Sequence, residues 1–274
     1  MGRTIVITGA SDGIGAAAAR ALKFKGHHIV VVGRSSHKTQ SVAREIGADY
    51  FVSDFANLGD VRSLAADLNA TLPKIDVLAN NAGAILGDRQ KTADGFEKTF
   101  QVNHLAPFLL THLLIDKLIE SKAAIIQTSS AGARHYGRID LDDLEHDRDF
   151  SPLLAYGTAK LANILFTREL HRRFHPLGIS AAAFHPGVIA SSFGNQASGL
   201  FKHLTASRIL RAFLPTPEKG AGQLVWLAEG APGPDWASGS YFENYRPARR
   251  TNPQVLDDDL ARQLWDRSEQ LLEL

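Results

Sequence analysis

A tyrosine and a lysine stand four residues apart in a stretch of helical character. Tyr156 and Lys160 therefore share one face of the helix predicted over about residues 152–174. A nearby ammonium group stabilises a phenolate and lowers the pKa of a tyrosine from about 10, so Tyr156 could serve as a general acid or base near neutral pH. Such pairs also occur on exposed helix faces without a function. The pair therefore indicates proton transfer only in the company of further residues.

A glycine-rich segment near the N-terminus has the spacing of a nucleotide-binding turn. Residues 8–15 read Thr-Gly-Ala-Ser-Asp-Gly-Ile-Gly and join a β-branched run to a helical stretch that begins at Ile14. Glycines let the chain turn tightly and approach a pyrophosphate, while the N-terminus of the helix faces its negative charge. A glycine cluster alone is a weak signal, but its place between a strand and a helix strengthens it. We therefore predict a dinucleotide cofactor at this turn.

The residue after the second predicted strand indicates which dinucleotide is used. NAD-binding folds carry an acidic residue there, which binds the ribose 2′-hydroxyl. Here the strand over residues 29–32 runs into Gly33, Arg34 and Ser35. A guanidinium suits a 2′-phosphate, with which it makes paired, charge-assisted hydrogen bonds. We therefore predict NADP(H) rather than NAD(H), with a merely solvated Arg34 as the alternative.

Further motifs follow in a fixed order along the chain. They are Asn-Asn-Ala-Gly at residues 80–83, Asn103, Ser-Ser at residues 129–130, Tyr-Gly-Thr-Ala-Lys at residues 156–160, and Pro-Gly at residues 186–187. Together with the glycine turn they resemble the short-chain dehydrogenase/reductase family over essentially the whole chain. The wide gap between Ser130 and Tyr156 and the Lys-Leu-Ala-Asn run from Lys160 are similar to the retinol-dehydrogenase-like branch.

The resemblance implies four catalytic residues. Ser130 would bind the substrate carbonyl oxygen, and Tyr156 would donate the proton as hydride arrives from the nicotinamide. Lys160 would also hold the nicotinamide ribose, and Asn103 would support a kinked helix and a proton-relay water. Ser130 is preferred to Ser129 because the catalytic serine of the family is usually the second of such a pair.

The resemblance also implies the cofactor-binding residues. In this set Asp12 stands where many NADP-using members of the family have a basic residue, which leaves Arg34 as the main support for NADP(H). The set consists of Gly9, Ser11, Asp12, Gly13, Ile14, Gly15, Arg34, Ser35, Asp54, Phe55, Asn81, Ala82, Gly83, Tyr156, Lys160, Pro186, Gly187, Val188 and Ser191.

Short β-branched runs alternate with longer amphipathic stretches, which indicates a parallel sheet covered by helices on both faces. Right-handed crossovers make this a doubly wound, Rossmann-type α/β fold with about seven strands. A helical region is expected over residues 95–121, with a kink at Pro107. Residues 1–274 are predicted to form one catalytic domain. Residues 133–154 form an insertion before Tyr156, and residues 191–215 form either a substrate lid or a plain pair of surface helices.

The composition excludes several other classes of protein. The chain carries 30 Lys and Arg against 29 Asp and Glu, so no charge excess indicates nucleic acid as a partner. The lack of cysteine excludes a thiol nucleophile and fits a cytoplasmic location. No apolar stretch approaches the roughly 20 residues of a membrane span. The histidines lack metal-binding spacing, and His171 with His175 fits an exposed helix pair better than a metal site, so no metal is predicted.

The sequence thus predicts an NADP(H)-dependent oxidoreductase that interconverts a small-molecule carbonyl, an aldehyde or a ketone, and an alcohol by hydride transfer. A ketoreductase of a secondary-metabolite, steroid or acyl-carrier-linked substrate is one alternative. A non-catalytic NADPH sensor or a mainly structural partner on the same fold are others. Because the family often pairs subunits through the helix that bears the tyrosine, a homodimer is open as well.

Overall fold

The computed structural model describes residues 2–187 and 216–274, and it confirms an α/β sheet with helices on both faces. Most of the inner strands arise from β-branched and alanine-rich runs whose side chains are buried on both sides, as expected for a parallel sheet, whereas the two edge strands are largely exposed. The strands are β1 (Thr4–Thr8), β2 (His28–Gly33), β3 (Asp49–Val52), β4 (Val77–Asn80), β5 (Ala124–Thr128), β6 (Ser180–His185), β7 (Ser240–Glu243) and β8 (Arg246–Pro247).

The sheet order is β3-β2-β1-β4-β5-β6-β7-β8. Neighbouring strands are parallel except β7 and β8, which are antiparallel. The sequence predicted about seven strands, and the described residues form eight, because the two-residue strand β8 is too short to leave a hydrophobic pattern. The order reverses between β1 and β4, and in such sheets ligands bind beyond the carboxyl ends of the strands at this place.

Helices cover both faces of the sheet and shield two apolar layers. One layer contains Val6, Leu78 and Ile125, and the other contains Ile7 and Ile126. The helices are α1 (Gly13–Phe24), α2 (Ser36–Ile46), α3 (Leu58–Thr71), α4 (Lys98–Phe100), α5 (Ala106–Leu113), α6 (Ile115–Glu120), α7 (Gly132–His135), α8 (Pro152–Phe174), α9 (Pro217–Glu229) and α10 (Asp258–Leu272), with 3₁₀ turns at His175–Leu177 and Pro253–Leu256.

The helical region expected over residues 95–121 begins at Lys98 and is interrupted at two places. A π-helical turn, Gln101–Leu105, separates α4 from α5. Pro107 follows the π-turn directly and has no N–H to continue the helical hydrogen bonds, and the main-chain oxygen of Asn103, four residues earlier, accepts from Asn163 Nδ2 at 3.0 Å instead. A second break follows at Leu114, between α5 and α6. The expected helical region is therefore divided into α4, α5 and α6, with the π-turn directly before the proline.

Candidate active site

The predicted catalytic residues come from two neighbouring elements, the carboxyl end of β5 and the first turns of α8. Tyr156 and Lys160 lie one helical turn apart, and both are buried. Lys160 Nζ lies 5.6 Å from the centre of the Tyr156 ring and donates to the main-chain oxygen of Thr128 at 3.0 Å. The side chains of Ser130 and Tyr156 are hydrogen-bonded to each other. The structure thus brings Ser130, Tyr156 and Lys160 together.

The two serines after β5 have different surroundings. Ser129 is buried, and its Oγ donates to the main-chain oxygen of Lys160 at 2.8 Å, which ties β5 to α8. Ser130 is partly exposed, and its Oγ accepts a hydrogen bond from the N–H of Gly132 at 3.1 Å. Only the hydroxyl of Ser130 is therefore both accessible and next to Tyr156. This geometry supports the choice of Ser130 over Ser129.

Asn103 approaches the same group from the π-helical turn. Its Nδ2 donates to the main-chain oxygens of Ala84 and Thr99, both at 2.9 Å. Its Oδ1 accepts from the N–H of Ala84 at 3.2 Å. A Cβ added to Gly83 would lie 2.5 Å from Asn103 Oδ1 and 2.9 Å from Lys160 Nζ. Asn103 and Lys160 thus meet across Gly83, and a side chain at that position would separate them.

Burial decides the proton affinities of this group. It raises the pKa of the Tyr156 phenol, and the hydrogen bond to Ser130 opposes the rise. It lowers the pKa of the Lys160 ammonium to about 7. The lowered tyrosine pKa expected from the sequence is therefore wrong for this structure, because desolvation of the phenol dominates. A neutral phenol at neutral pH is the form that can donate a proton.

The glycine-rich turn lies against the loop that follows β4. Gly9 has φ +66°, and a Cβ there would lie 2.7 Å from the Cα of Ala82. A Cβ on Gly15 would lie 2.5 Å from the main-chain oxygen of Gly9. Asp12 caps α1, because its Oδ1 accepts from the N–H of Gly13 at 2.8 Å. A turn with few side chains at the N-terminus of a long helix fits the pyrophosphate of a dinucleotide.

The end of β2 presents cationic side chains near this turn. Arg34 is exposed and makes no hydrogen bond or ion pair with any residue in ranges 2–187 and 216–274. Ser35 caps α2, with its Oγ accepting from the N–H of Lys38 at 3.4 Å. Lys38 Nζ lies 2.9 Å from Asp12 Oδ2. The carboxylate of Asp12, whose negative charge disfavours a 2′-phosphate, is therefore paired with the Lys38 ammonium. The Arg34 guanidinium makes no such pair with the described residues.

The other predicted cofactor residues lie at the ends of β1, β3 and β4. Asn81 Nδ2 donates to the main-chain oxygen of Thr8 at 2.9 Å, and its Oδ1 accepts from Thr128 Oγ1 at 3.2 Å, so it joins three strand ends. Asp54 Oδ1 accepts from the N–H of Ala56 at 3.0 Å. Phe55 is 5% exposed and packs in the core, and its main-chain oxygen accepts from Gln101 Nε2 at 3.2 Å. Ser11 lies against Gly33, and Ile14 packs on the adjacent apolar layer.

Comparison with known proteins decides the family. The short chain dehydrogenase family model matches residues 3–199. The chain belongs to the short-chain dehydrogenase/reductase family. Enzymes of this family are oxidoreductases that use NAD(P)(H) and act on small molecules.

Its relatives include a ketoreductase and retinol dehydrogenases. A protein of Streptomyces sp. (strain C5) named as a daunorubicin C-13 ketoreductase is 41% identical and covers 97% of this chain and 91% of its own. Retinol dehydrogenase 12 of Bos taurus is 37% identical, with 99% and 86% covered. The chain is thus similar to the retinol-dehydrogenase-like branch of the family.

Solved structures show the same fold. An uncharacterised protein from Mycobacterium paratuberculosis has a TM-score of 0.78 at 32% identity and covers 99% of this chain and 93% of its own. A protein from Beutenbergia cavernae described as an NAD(P)-dependent gluconate 5-dehydrogenase, with bound NADP, has a TM-score of 0.66 at 28% identity, with 82% and 89% covered.

Some of the predicted cofactor residues lie at or beyond the end of the first described range, residues 2–187. Pro186 and Gly187 follow β6 directly, and Gly187 has φ +91°. Val188, Ser191 and the segment 191–215 lie outside the described residues.

Three polar residues that sequence reasoning did not assign help to build the site. The amide of Asn163 donates from Nδ2 to the main-chain oxygen of Asn103 at 3.0 Å. Thr8 Oγ1 accepts from the N–H groups of Asn81 and Ala82, both at 3.0 Å. Thr158, two residues after Tyr156, bonds the main chain of Arg138 in the segment after Ser130. The position of Asn163, seven residues after Tyr156 and hence on the same helix face, was a usable signal.

The described residues hold no long apolar helix and no cluster of metal-ligating side chains. None of their helices combines the length and the apolar character needed to cross a bilayer. They contain no cluster of three or more His, Asp or Glu side chains suited to a metal ion. His171 and His175 do lie close, with ring centres 4.6 Å apart, but Ser238 and the main-chain oxygen of Ile179 engage their Nδ1 atoms at 2.9 Å.

Proposed function

We propose that this dehydrogenase is an NADP(H)-dependent enzyme that interconverts a carbonyl and an alcohol, with Tyr156 as the general acid and base. The observation that carries the proposal is the convergence of Asn103, Ser130, Tyr156 and Lys160 at the carboxyl end of β5. The bound nicotinamide supplies or accepts the hydride. Ser130 and Tyr156 would act on the oxygen of the substrate and the proton that it gains, and Lys160 and Asn103 would support them.

Each residue has a role that its contacts support. Ser130 presents its hydroxyl next to Tyr156 and would hydrogen-bond the substrate oxygen. Tyr156, neutral because burial raises its pKa, would donate its proton to that oxygen during reduction. Lys160 would stabilise the phenolate left behind, and Asn103 would hold the π-turn and the loop at Ala84 in place.

Two features support NADP(H) as the cofactor. The Arg34 guanidinium is exposed and has no ion-pair partner within the described ranges, and Lys38 offsets the charge of Asp12. Both suit a 2′-phosphate, with which a guanidinium makes two parallel hydrogen bonds. The rest of the cofactor would be held by the glycine-rich turn, which includes Gly9 and Gly15, and by Tyr156 and Lys160.

The substrate is proposed to be a small ketone or aldehyde. The named activities of the relatives, reduction of a daunorubicin ketone and oxidation of retinol, support an extended polycyclic or polyene carbonyl compound. The lack of cysteine is consistent with work in the cytoplasm.

The experiment is to follow NADPH and NADH oxidation by the purified protein with polycyclic ketones, simple ketones and aldehydes that include retinal. We expect turnover with NADPH that falls by about 100- to 10,000-fold in Tyr156→Phe, since a general acid contributes roughly 10²–10⁴-fold. Tyr136→Phe is the matched control, because Tyr136 is 48% exposed. Equal turnover by Tyr156→Phe and wild type would refute the proposed role of Tyr156, and tight NADPH binding without any turnover would favour a sensor.

The same assay tests the cofactor. Arg34→Ala is expected to weaken NADPH binding about 10- to 100-fold and to leave NADH binding unchanged, since a charge-assisted hydrogen bond contributes about 1.5–3 kcal/mol. Arg44→Ala, an exposed arginine on α2, is the control. A wild-type preference for NADH would show that Arg34 does not bind a phosphate.

A further inference from the structure

We propose that Asn252 and Gln254 are positioning residues for the catalytic serine. Both lie at the start of the 3₁₀ turn Pro253–Leu256, about 115 residues after the segment that they hold, residues 130–139. The inference rests on the proposed function of Ser130 and adds a part of the chain that lies far from the family motifs. Their side chains hold the main chain of this segment through four hydrogen bonds.

Asn252 binds two carbonyl groups of the serine segment. Its Nδ2 donates to the main-chain oxygen of Ala133 at 3.1 Å and to that of Gly137 at 2.7 Å. Its Oδ1 accepts from the N–H of Gln254 at 3.0 Å, which fixes the orientation of the amide. Asn252 is 8% exposed, so these bonds form away from water, where an unpaired carbonyl is costly.

Gln254 binds the next part of the same segment as a neighbouring strand would. Its Nε2 donates to the main-chain oxygen of Ile139, and its Oε1 accepts from the N–H of Ile139, both at 2.9 Å. The two bonds fix the peptide units on both sides of Ile139. Ile139 is itself buried, so the segment is held by its side chain and by its main chain together.

Helix α8 holds the segment from the opposite side. Thr158 Oγ1 accepts from the N–H of Arg138 at 3.1 Å and donates to its main-chain oxygen at 3.0 Å. A Cβ on Gly157 would lie 2.8 Å from both the oxygen of Gly132 and the nitrogen of Gly137. The segment is therefore enclosed between the helix that carries Tyr156 and the residues Asn252 and Gln254.

These contacts reach the catalytic hydroxyl within one turn. The N–H of Ala133 donates to the main-chain oxygen of Ser130 at 3.0 Å, and the N–H of Gly132 donates to Ser130 Oγ. A Cβ on Gly132 would lie 3.3 Å from Tyr156 Cε1, so the turn also touches the tyrosine ring. Displacement of the carbonyl of Ala133 therefore moves the Ser130 hydroxyl relative to Tyr156.

The test uses isosteric variants in the full chain. Asn252→Asp keeps the size and the acceptor for Gln254 but turns a carboxylate toward two carbonyl oxygens. Gln254→Glu likewise keeps the acceptor for the N–H of Ile139 but turns a carboxylate oxygen toward the carbonyl oxygen of that residue. We expect kcat to fall about 10- to 100-fold in each, since a shift of about 1 Å in a catalytic group costs about that much, with KM for NADPH changed less than about twofold. Asn69→Asp is the control, since Asn69 is exposed and bonds Leu113 instead.

A second measurement does not depend on turnover. Hydrogen exchange at the amides of residues 132–139 should be faster in Asn252→Asp than in wild type, while exchange in β1 and α1 stays the same. Unchanged exchange in this segment, or faster exchange with an unchanged kcat, would overturn the inference. If wild type is active and Tyr156→Phe is not, an unchanged Asn252→Asp refutes only the positioning role. If Tyr156→Phe is as active as wild type, the proposed function fails instead.

Discussion

At the scale of single residues, the charge of Lys160 depends strongly on its surroundings. Its ammonium is buried beside Tyr156, and its one hydrogen bond to the described chain is to the main-chain oxygen of Thr128. Burial lowers its pKa to about 7 from an ordinary value near 10.5. Near neutral pH the lysine therefore gains or loses its charge easily. This suits a group that must stabilise a phenolate only while the proton of Tyr156 is on the substrate.

The lowered pKa of Lys160 predicts a pH-dependent stability. Between pH 7 and 10.5 the unfolded chain binds a proton at this lysine that the folded chain does not, so burial costs less as the pH rises. From pH 6 to pH 9 the free energy of unfolding of the wild type should rise by about 2–3 kcal/mol relative to that of Lys160→Met. Urea unfolding of both proteins without cofactor at the two pH values measures this. If the free energies of unfolding of the two proteins differed by the same amount at pH 6 and pH 9, the lowered pKa of Lys160 would be contradicted.

Most of the candidate site was predicted from motifs whose order along the sequence resembles a known family. That Tyr156 and Lys160 lie together could be predicted because residues four apart share one face of a helix, but their role needed the further motifs. The pKa of Tyr156 could not, because desolvation depends on packing around the ring. The same holds for Asn252 and Gln254, since side-chain bonds to a distant main chain have no period in the sequence. Residues 140–149 look like a solvated acidic stretch, yet His146 is buried and bonds Thr158.

At the scale of elements, two turns position the proposed cofactor site and Asn103. The π-helical turn Gln101–Leu105 directs Asn103 to the loop at Ala84, and Asn163 binds the main-chain oxygen of Asn103. The glycine-rich turn lies so close to Ala82 that no side chain fits at Gly9. The π-turn could not be read from the sequence, because it differs from an α-helix by one residue and keeps a helical pattern. The glycine turn could, because its residue types themselves permit it.

The close approach at Gly9 can be separated from backbone strain. Gly9 and Gly47 have nearly the same φ, +66° and +62°, but a Cβ on Gly47 would meet nothing within 4 Å. Gly47→Ala should therefore lower the free energy of unfolding by only about 1 kcal/mol, the cost of left-handed backbone for an alanine. Gly9→Ala should lose more stability and also weaken NADPH binding, because the new methyl group would displace Ala82. Thermal unfolding and NADPH titration of both variants measure this, and similar losses in the two would contradict the close contact.

At the scale of the whole molecule, α10 packs against α8, the helix that carries Tyr156 and Lys160. Every residue from Ala155 to Thr167 on α8 is buried within the one chain. Trp265 on α10 packs against Phe166 and Phe108, with ring centres 5.5 Å and 4.8 Å apart. His104 Nε2 and Ser268 Oγ lie 3.0 Å apart, so the same helix also contacts the π-turn. The face through which the resemblance would pair two subunits is thus already occupied.

This coverage predicts that the protein does not dimerise through α8. We expect the chain to sediment as a monomer at micromolar concentration, both with and without NADPH. Sedimentation equilibrium measures the mass directly. A dimer whose α8 amides gain protection from hydrogen exchange on association would contradict the prediction.

The position of Asn252 and Gln254 in the chain has a consequence for synthesis. The strands β1 and β2 and the glycine-rich turn after β1 are made first. The two strands can pair while the ribosome is still elongating the chain. The serine segment, residues 130–139, receives its hydrogen bonds from side chains about 115 residues further on. The position of the Ser130 hydroxyl is therefore fixed only after residues 252–254 have left the ribosome.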